Sequence, residues 1–186
     1  MTEITADLSI TTLPTWAVWE RQLLDAMNQS TGPFLEHFTR SDGEFIWDDA
    51  WGGGSPDDFY EPFFNWPLVY SMGGADHLLS LADRQWEAVT KQLMRLGSYH
   101  KEYGFREDQM HQSEADIFFY NLCMANPDAD RRRERAQRFA GFYLNEDPEA
   151  INYDSEHKVV LSGLNGSKGA VVTKLNTDAR DRKSVV

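Results

Sequence analysis

Residues 73–97, GGADHLLSLADRQWEAVTKQLMRLG, constrain the fold more than any other stretch of this chain. A glycine pair opens it, Asp76 stands where a helix cap belongs, and Gly97 closes it. Between them Leu78, Ala82, Trp86, Val89, Leu93 and Leu96 recur every three or four residues. That period puts one apolar stripe along a helix, and such a stripe must be buried against other elements. The rest of the chain has to supply them.

The other periodic stretches are also helical. Thr15 to Asn28, entered after Pro14, carries Trp16, Trp19, Leu23 and Met27 at the same spacing, which predicts a first helix with that face turned inward. The run STGP at 30–33 is expected to interrupt it, with Phe34, Leu35 and Phe38 adding a further turn or two. Pro56 followed by Asp57 and Asp58 reads as a helix entry, the acids sitting at the positive end of the macrodipole. The helix it opens would carry Tyr60, Phe63, Phe64 and Val69 and bend or end at Pro67. EADIFFYNLCMA predicts another helix, stopped at Asn126–Pro127. DADRRRERAQRFAGFYLNED predicts one more, with Ala136, Phe139, Ala140 and Tyr143 inward. From Pro148 onward Gly, Ser and Asn accumulate, predicting a long loop with β-prone pieces at Val159–Leu161 and Val171–Val172 and a small hairpin. The expected class is all-α. Long connectors rich in Trp, Tyr, His and acids alternate with short turns, as in an array of helical hairpins whose working loops leave one face.

The most unusual connector is GEFIWDDAWGGGSPDDFYEPFFNWPLVY, residues 43–70, which holds five carboxylates between Asp48 and Glu61 and three tryptophans. A core needs the rings but not the acids, and a solvated loop needs the acids but not the rings. Saccharides need both: their C–H faces stack on rings and their hydroxyls donate to carboxylates. A glycosidase further needs two carboxyl groups about 5 Å or about 6.5–9.5 Å apart, for which Asp48, Asp49, Asp57, Asp58 and Glu61 are candidates. The same acids also have a purely structural reading, as helix-start residues and turn formers. A second cluster, REDQMHQSEAD, sets His111 three residues before Glu114, so that at a helix start both can point into one cleft as proton relay and acid or base. Its plain alternative is a cap pairing Ser113 with Asp116.

Composition closes off other classes. A net charge of −12 argues against tracking phosphate backbones or anionic lipid, and Arg131–Arg133 with Arg135 lie among acids as a solvated helix face. The single cysteine, Cys123, excludes an internal disulfide and sits in an apolar stretch as an inert thiol. No HExxH or CxxC spacing suggests a metal, NGSKG at 165–169 lacks P-loop spacing, and no cofactor is expected. His37, His77, His100 and His157 stand alone in the sequence. No window spans a membrane and the start does not read as a signal peptide, so the default compartment is the cytoplasm.

The strings WDDAWGGGSPDDFYEPFFNWPL, SMGGADHLL and HQSEADIFFYNL resemble uncharacterised bacterial proteins expected to form (α/α) toroids, over roughly residues 44–160. That resemblance implies about half of an (α/α)6-type toroid, because six hairpins need about twice this length. It also implies kinship with glycoside hydrolases and polysaccharide lyases, which bind saccharides at the loop-bearing end. The leading expectation is a glycoside hydrolase, inactive as a fragment. Asp49 or Asp58 would be general acid or base, Glu61, His111 and Glu114 would assist, and Trp47, Trp51, Tyr60 and Trp66 would form the sugar platform. A lyase would want a Tyr or His base and a polyanionic substrate, which the charge disfavours. Two alternatives stay open: a toroid enzyme acting on a terpenoid or other apolar alcohol, like linalool dehydratase-isomerase, and a non-catalytic helical interaction module. The expected partner is a saccharide or other small molecule, with no nucleic acid and no membrane.

The ending DRKSVV equals the translation of a common sequencing adapter that then reaches a stop codon. Residues 1–180 are therefore expected to form one incomplete toroid domain and 181–186 to be a non-native tail, with the natural chain continuing.

Overall fold

The computed structural model describes residues 12–47, 56–97, 99–101, 103–104, 109–127, 130–161 and 171–172; at 56–57, 109–112, 114 and 171–172 it describes the backbone alone. The elements are α1 (Thr15–Phe38), a 3-10 turn (Pro56–Phe59), α2 (Glu61–Phe64), α3 (Trp66–Ser71), α4 (His77–Arg95), α5 (Gln109–Ala125) and α6 (Asp130–Phe142). Four two-residue strands follow: β1 (Ala150–Ile151), β2 (Tyr153–Asp154), β3 (Val159–Val160) and β4 (Val171–Val172). The chain is mostly helical, as its periodicity predicts. The tail 181–186 lies outside the described residues.

α4 forms as its stripe requires. Leu78, Ala82, Trp86, Val89 and Leu93 are buried, and Gly97 ends the helix at φ 72°, a conformation that a side chain would strain. Around this stripe gathers a ring-rich core. Tyr60 stacks on Trp86 with ring centroids 4.6 Å apart, and Phe118 meets Trp86 edge-on at 5.6 Å. Phe63 meets Trp66 the same way at 5.1 Å. Burying each such ring stabilises the fold by about 1.5–3 kcal/mol.

α1 differs from its expectation twice. It runs unbroken through Gly32 and Pro33 to Phe38. Next to Pro33, which supplies no N–H to the helix, the hydroxyls of Ser30 and Thr31 donate to the carbonyls of Met27 and Asn28, each at 2.9 Å. Its buried residues are Leu24, Thr31 and Leu35. Trp16, Trp19 and Leu23 point out, 65%, 66% and 61% exposed, against the expectation that they turn inward. The body of the protein begins only at Leu24, which packs with Val69 and Leu78. In α6 the buried residues are Arg132, Phe139, Gly141 and Phe142; Arg132, expected on a solvated face, is inside, and Ala140, expected inside, is exposed.

Ion pairs give the helix directions. Arg132 grips both oxygens of Asp83 at 2.7 Å, and Arg135 pairs with Glu87, so α6 runs parallel to α4. Arg132 also donates to the carbonyl of Asn126 at 3.0 Å, which puts the end of α5 beside Asp83, while Phe118 and Phe119 pack further along α4 on Trp86. α5 is therefore antiparallel to both. At the end where α4 begins the connections are short: residues 72–76 precede it and 126–129 join α5 to α6. At the other end lie the long ones, after α1, after α4 and after α6. After α6, β2 and β3 form a hairpin, with Tyr153 opposite Val160, and β1 pairs antiparallel with β4, Ala150 opposite Val172; the two β-prone pieces each pair with a segment the sequence did not mark.

Candidate functional site

The long-connector end is built from the last turns of α4 outward. Gln85 and Gln92, both fully buried, face the extended run of residues 43–47. Gln85 Nε2 donates to the Gly43 carbonyl at 3.0 Å. The Gln92 amide accepts from the Phe45 N–H at 2.8 Å and donates to the carbonyls of Phe45 and Trp47 at 3.2 Å and 2.8 Å. These side-chain amides stand in for a neighbouring strand and satisfy backbone groups that have no sheet to join. Glu44, buried, pairs with Arg95 and with Arg40. Trp47, stacked on Phe45 at 4.8 Å, is thereby fixed beside the C-terminal end of α4.

Next to it the chain after α4 folds back on the chain after α6. His100 and Tyr103 exchange backbone hydrogen bonds at 2.9 Å and 3.0 Å, closing a tight turn with Lys101 in the left-handed region at φ 55°. His100 Nε2 lies 3.1 Å from Asp147 Oδ2, and Lys101 Nζ lies 2.5 Å from the same oxygen. Asp147 Oδ1 accepts the Glu149 N–H at 2.8 Å. Tyr103 donates its hydroxyl to Asn152 Oδ1 at 2.6 Å. Burial alone would push the Asp147 carboxyl up, but the Lys101 ammonium, the Glu149 N–H and His100 together hold it down at about 2. The carboxylate accepts, so His100 Nε2 is the donor in this contact.

Imidazole and carboxylate atoms of His100, Asp147 and Glu149 lie within 4.8 Å of one another, near enough for a metal ion. The Lys101 ammonium, however, already sits on the oxygen such an ion would share. The chain's own cation thus neutralises one of the cluster's two carboxylates. Close by on α5, Asp116 is buried; burial first and its negative charge second push the Tyr143 phenol up.

The expected site residues fare unequally. Tyr60 is 1% exposed, its hydroxyl 2.8 Å from Thr90 Oγ1, and Trp66 is 9% exposed against Phe63. Both are core residues and neither can serve as a sugar platform; Tyr60 packs on Trp86 of α4 and Phe118 of α5, and Trp66 on Phe63 of α2. Trp47 is half-buried, Asp58 is half-buried and Glu61 is exposed. His111 and Glu114 lie in the first two turns of α5, at the long-connector end, with side chains outside the described set. Asp49 and Trp51 fall outside the described residues, between Trp47, fixed at this end, and Pro56. Sequence reasoning missed the His100–Asp147 pair because its members stand 47 residues apart and no local spacing joins them. The nearest clue was the density of Tyr, His and Lys in SYHKEY.

Residues 3–184 match the model of a family described as a domain of unknown function, DUF8034. No curated protein and no solved structure matches the chain.

Proposed function

We propose that this chain, which belongs to the DUF8034 family, is the helical-hairpin half of an (α/α) toroid enzyme that acts on saccharides, a hydrolase rather than a lyase. One observation carries this: the connectors after α1, α4 and α6 meet at a single end of the bundle, through Gln92 with Trp47 and through His100 and Lys101 with Asp147. Trp47 lies at that end, and the first two turns of α5, which hold His111 and Glu114, come to it as well. Trp47 and the His100–Asp147 pair support this reading, because glycosidic cleavage needs a ring to stack on the sugar and groups that move a proton.

In this scheme Asp49, Asp58, Glu61 and Glu114 provide the acid and base carboxyls, with His111 as relay. Trp47 and Trp51 form the platform, without Tyr60 and Trp66. His100, oriented by Asp147, joins the set as a proton acceptor. Asp147 itself, held ionised by three partners, orients and does not exchange protons near neutral pH.

A thermal-shift panel of neutral oligosaccharides, uronides and an apolar alcohol tests it. Saturable stabilisation by saccharides is expected. Stabilisation by the alcohol alone selects the terpenoid-type reading, and no response to any saccharide refutes the proposal.

A further inference from the structure

The start of α1 presents a different problem. Every residue from Thr12 to Leu23 is exposed except Ala17, which is half-buried. An isolated helical arm of that length is unstable in water, and this one carries Trp16, Trp19 and Leu23, each more than three-fifths exposed. The exposed positions Trp16, Trp19, Leu23, Ala26 and Ser30 follow each other at intervals of three, four, three and four residues. That is the spacing of a helix-pairing seam, with Trp16, Leu23 and Ser30 as one set and Trp19 and Ala26 as the other. The seam continues along the outer side of α1 after its opposite side, through Leu24, Thr31 and Leu35, has joined the core.

We propose that two copies of this chain pair through this outer face of α1, antiparallel about a two-fold axis near Arg21. In that register Trp16 faces Ala26 of the second copy and Trp19 faces Leu23 of the second copy. Each large ring meets a smaller side chain, whereas a parallel pairing would force indole on indole in two successive layers. The area fits a second copy. Two indoles about two-thirds exposed offer on the order of 150 Å² each, and Leu23 with Ala26 brings the apolar total of this face to the order of 400 Å². A stable homodimer takes about 800 Å² from each partner, about 65% of it apolar, and this face supplies most of that. The two-fold is isologous and closes on itself, so pairing stops at two. Arg21, hydrogen-bonded at 3.0 Å to the Gly73 carbonyl, holds the arm at the angle it leaves the body.

Sedimentation of the chain over a wide concentration range should show a dimer, and Leu23→Glu and Ala26→Glu should each shift it to monomer. Both positions are exposed in the single chain, so circular dichroism and melting of the variants at low concentration should match the parent. As a second readout, Trp16→Cys with Ala26→Cys in a Cys123→Ala background should oxidise to a covalent dimer, since the register brings the two sites within disulfide reach. A parent chain that is monomeric at every concentration, with its seam covered by its own residues or by another protein, overturns the proposal. So does a dimer that survives both glutamates or a double-cysteine chain that never cross-links.

Discussion

The Lys101 ammonium lies 2.5 Å from Asp147 Oδ2, bridging the connectors that follow α4 and α6. Together with His100 it ties two segments 46 and 47 residues apart into one knot, and that knot makes the long-connector end a single unit.

Its pH dependence follows. The Asp147 carboxyl is lowered in the folded chain from 3.8 to about 2. A depressed carboxyl contributes stability that is fully present above its unfolded value and is lost as pH falls through the folded one. The contribution should therefore be intact above about pH 4 and gone near pH 2. Asp147→Asn should be less stable than the parent at neutral pH, and the difference should shrink across that window. Melting curves from pH 7 down to pH 2 check it, and a gap that stays constant with pH would be the wrong outcome.

Gln92 should be among the most sensitive polar positions in α4. Gln92→Leu keeps much of the volume but leaves the Phe45 N–H and the Phe45 and Trp47 carbonyls without their amide. Each hydrogen bond lost costs about 0.5–1.5 kcal/mol, so urea unfolding should show a loss of about 2–4 kcal/mol. A change within experimental error would mean that residues 43–47 are held by something else.

Tyr60→Phe should cost about 1–2 kcal/mol through the stranded Thr90 hydroxyl, with any saccharide response unchanged. Loss of ligand response at unaltered stability would return Tyr60 to the site and contradict its place in the core.

Gly43 adopts φ +90°, and a Cβ there would lie 2.9 Å from Ala88 Cβ and 3.0 Å from Gln85 Oε1. Gly43→Ala should destabilise by about 1–3 kcal/mol through backbone strain and overlap with α4. A melting temperature equal to the parent's would contradict the close approach of this segment to the helix.

Helices were legible in the sequence wherever apolar residues keep one face, as in α4 from Leu78 to Leu93. The Gly97 stop and the β-prone valines near the end were legible for the same local reason. Position relative to the rest of the chain was not. Periodicity finds a stripe on α1 but cannot say whether it meets the body, and Trp16, Trp19 and Leu23 precede the point where the body begins. Tyr60 and Trp66 looked like platform residues because acids flank them in sequence, yet the 3-10 turn and α2 rotate the rings inward and leave Glu61 outside. The His100–Asp147 pair depends on two connectors meeting in space, a relationship that spacing along the chain does not encode.

Whether the long-connector end holds a saccharide can be decided by calorimetry. The oligosaccharide that most stabilises the parent is titrated into the parent chain, into Trp51→Ala and into Trp16→Ala. The parent should bind, Trp51→Ala should lose about tenfold or more in affinity, equivalent to about 1.4 kcal/mol, and Trp16→Ala, at the far end of α1, should bind as the parent does. Equal binding by all three, or greater loss at Trp16 than at Trp51, would show that the ligand sits elsewhere on the molecule.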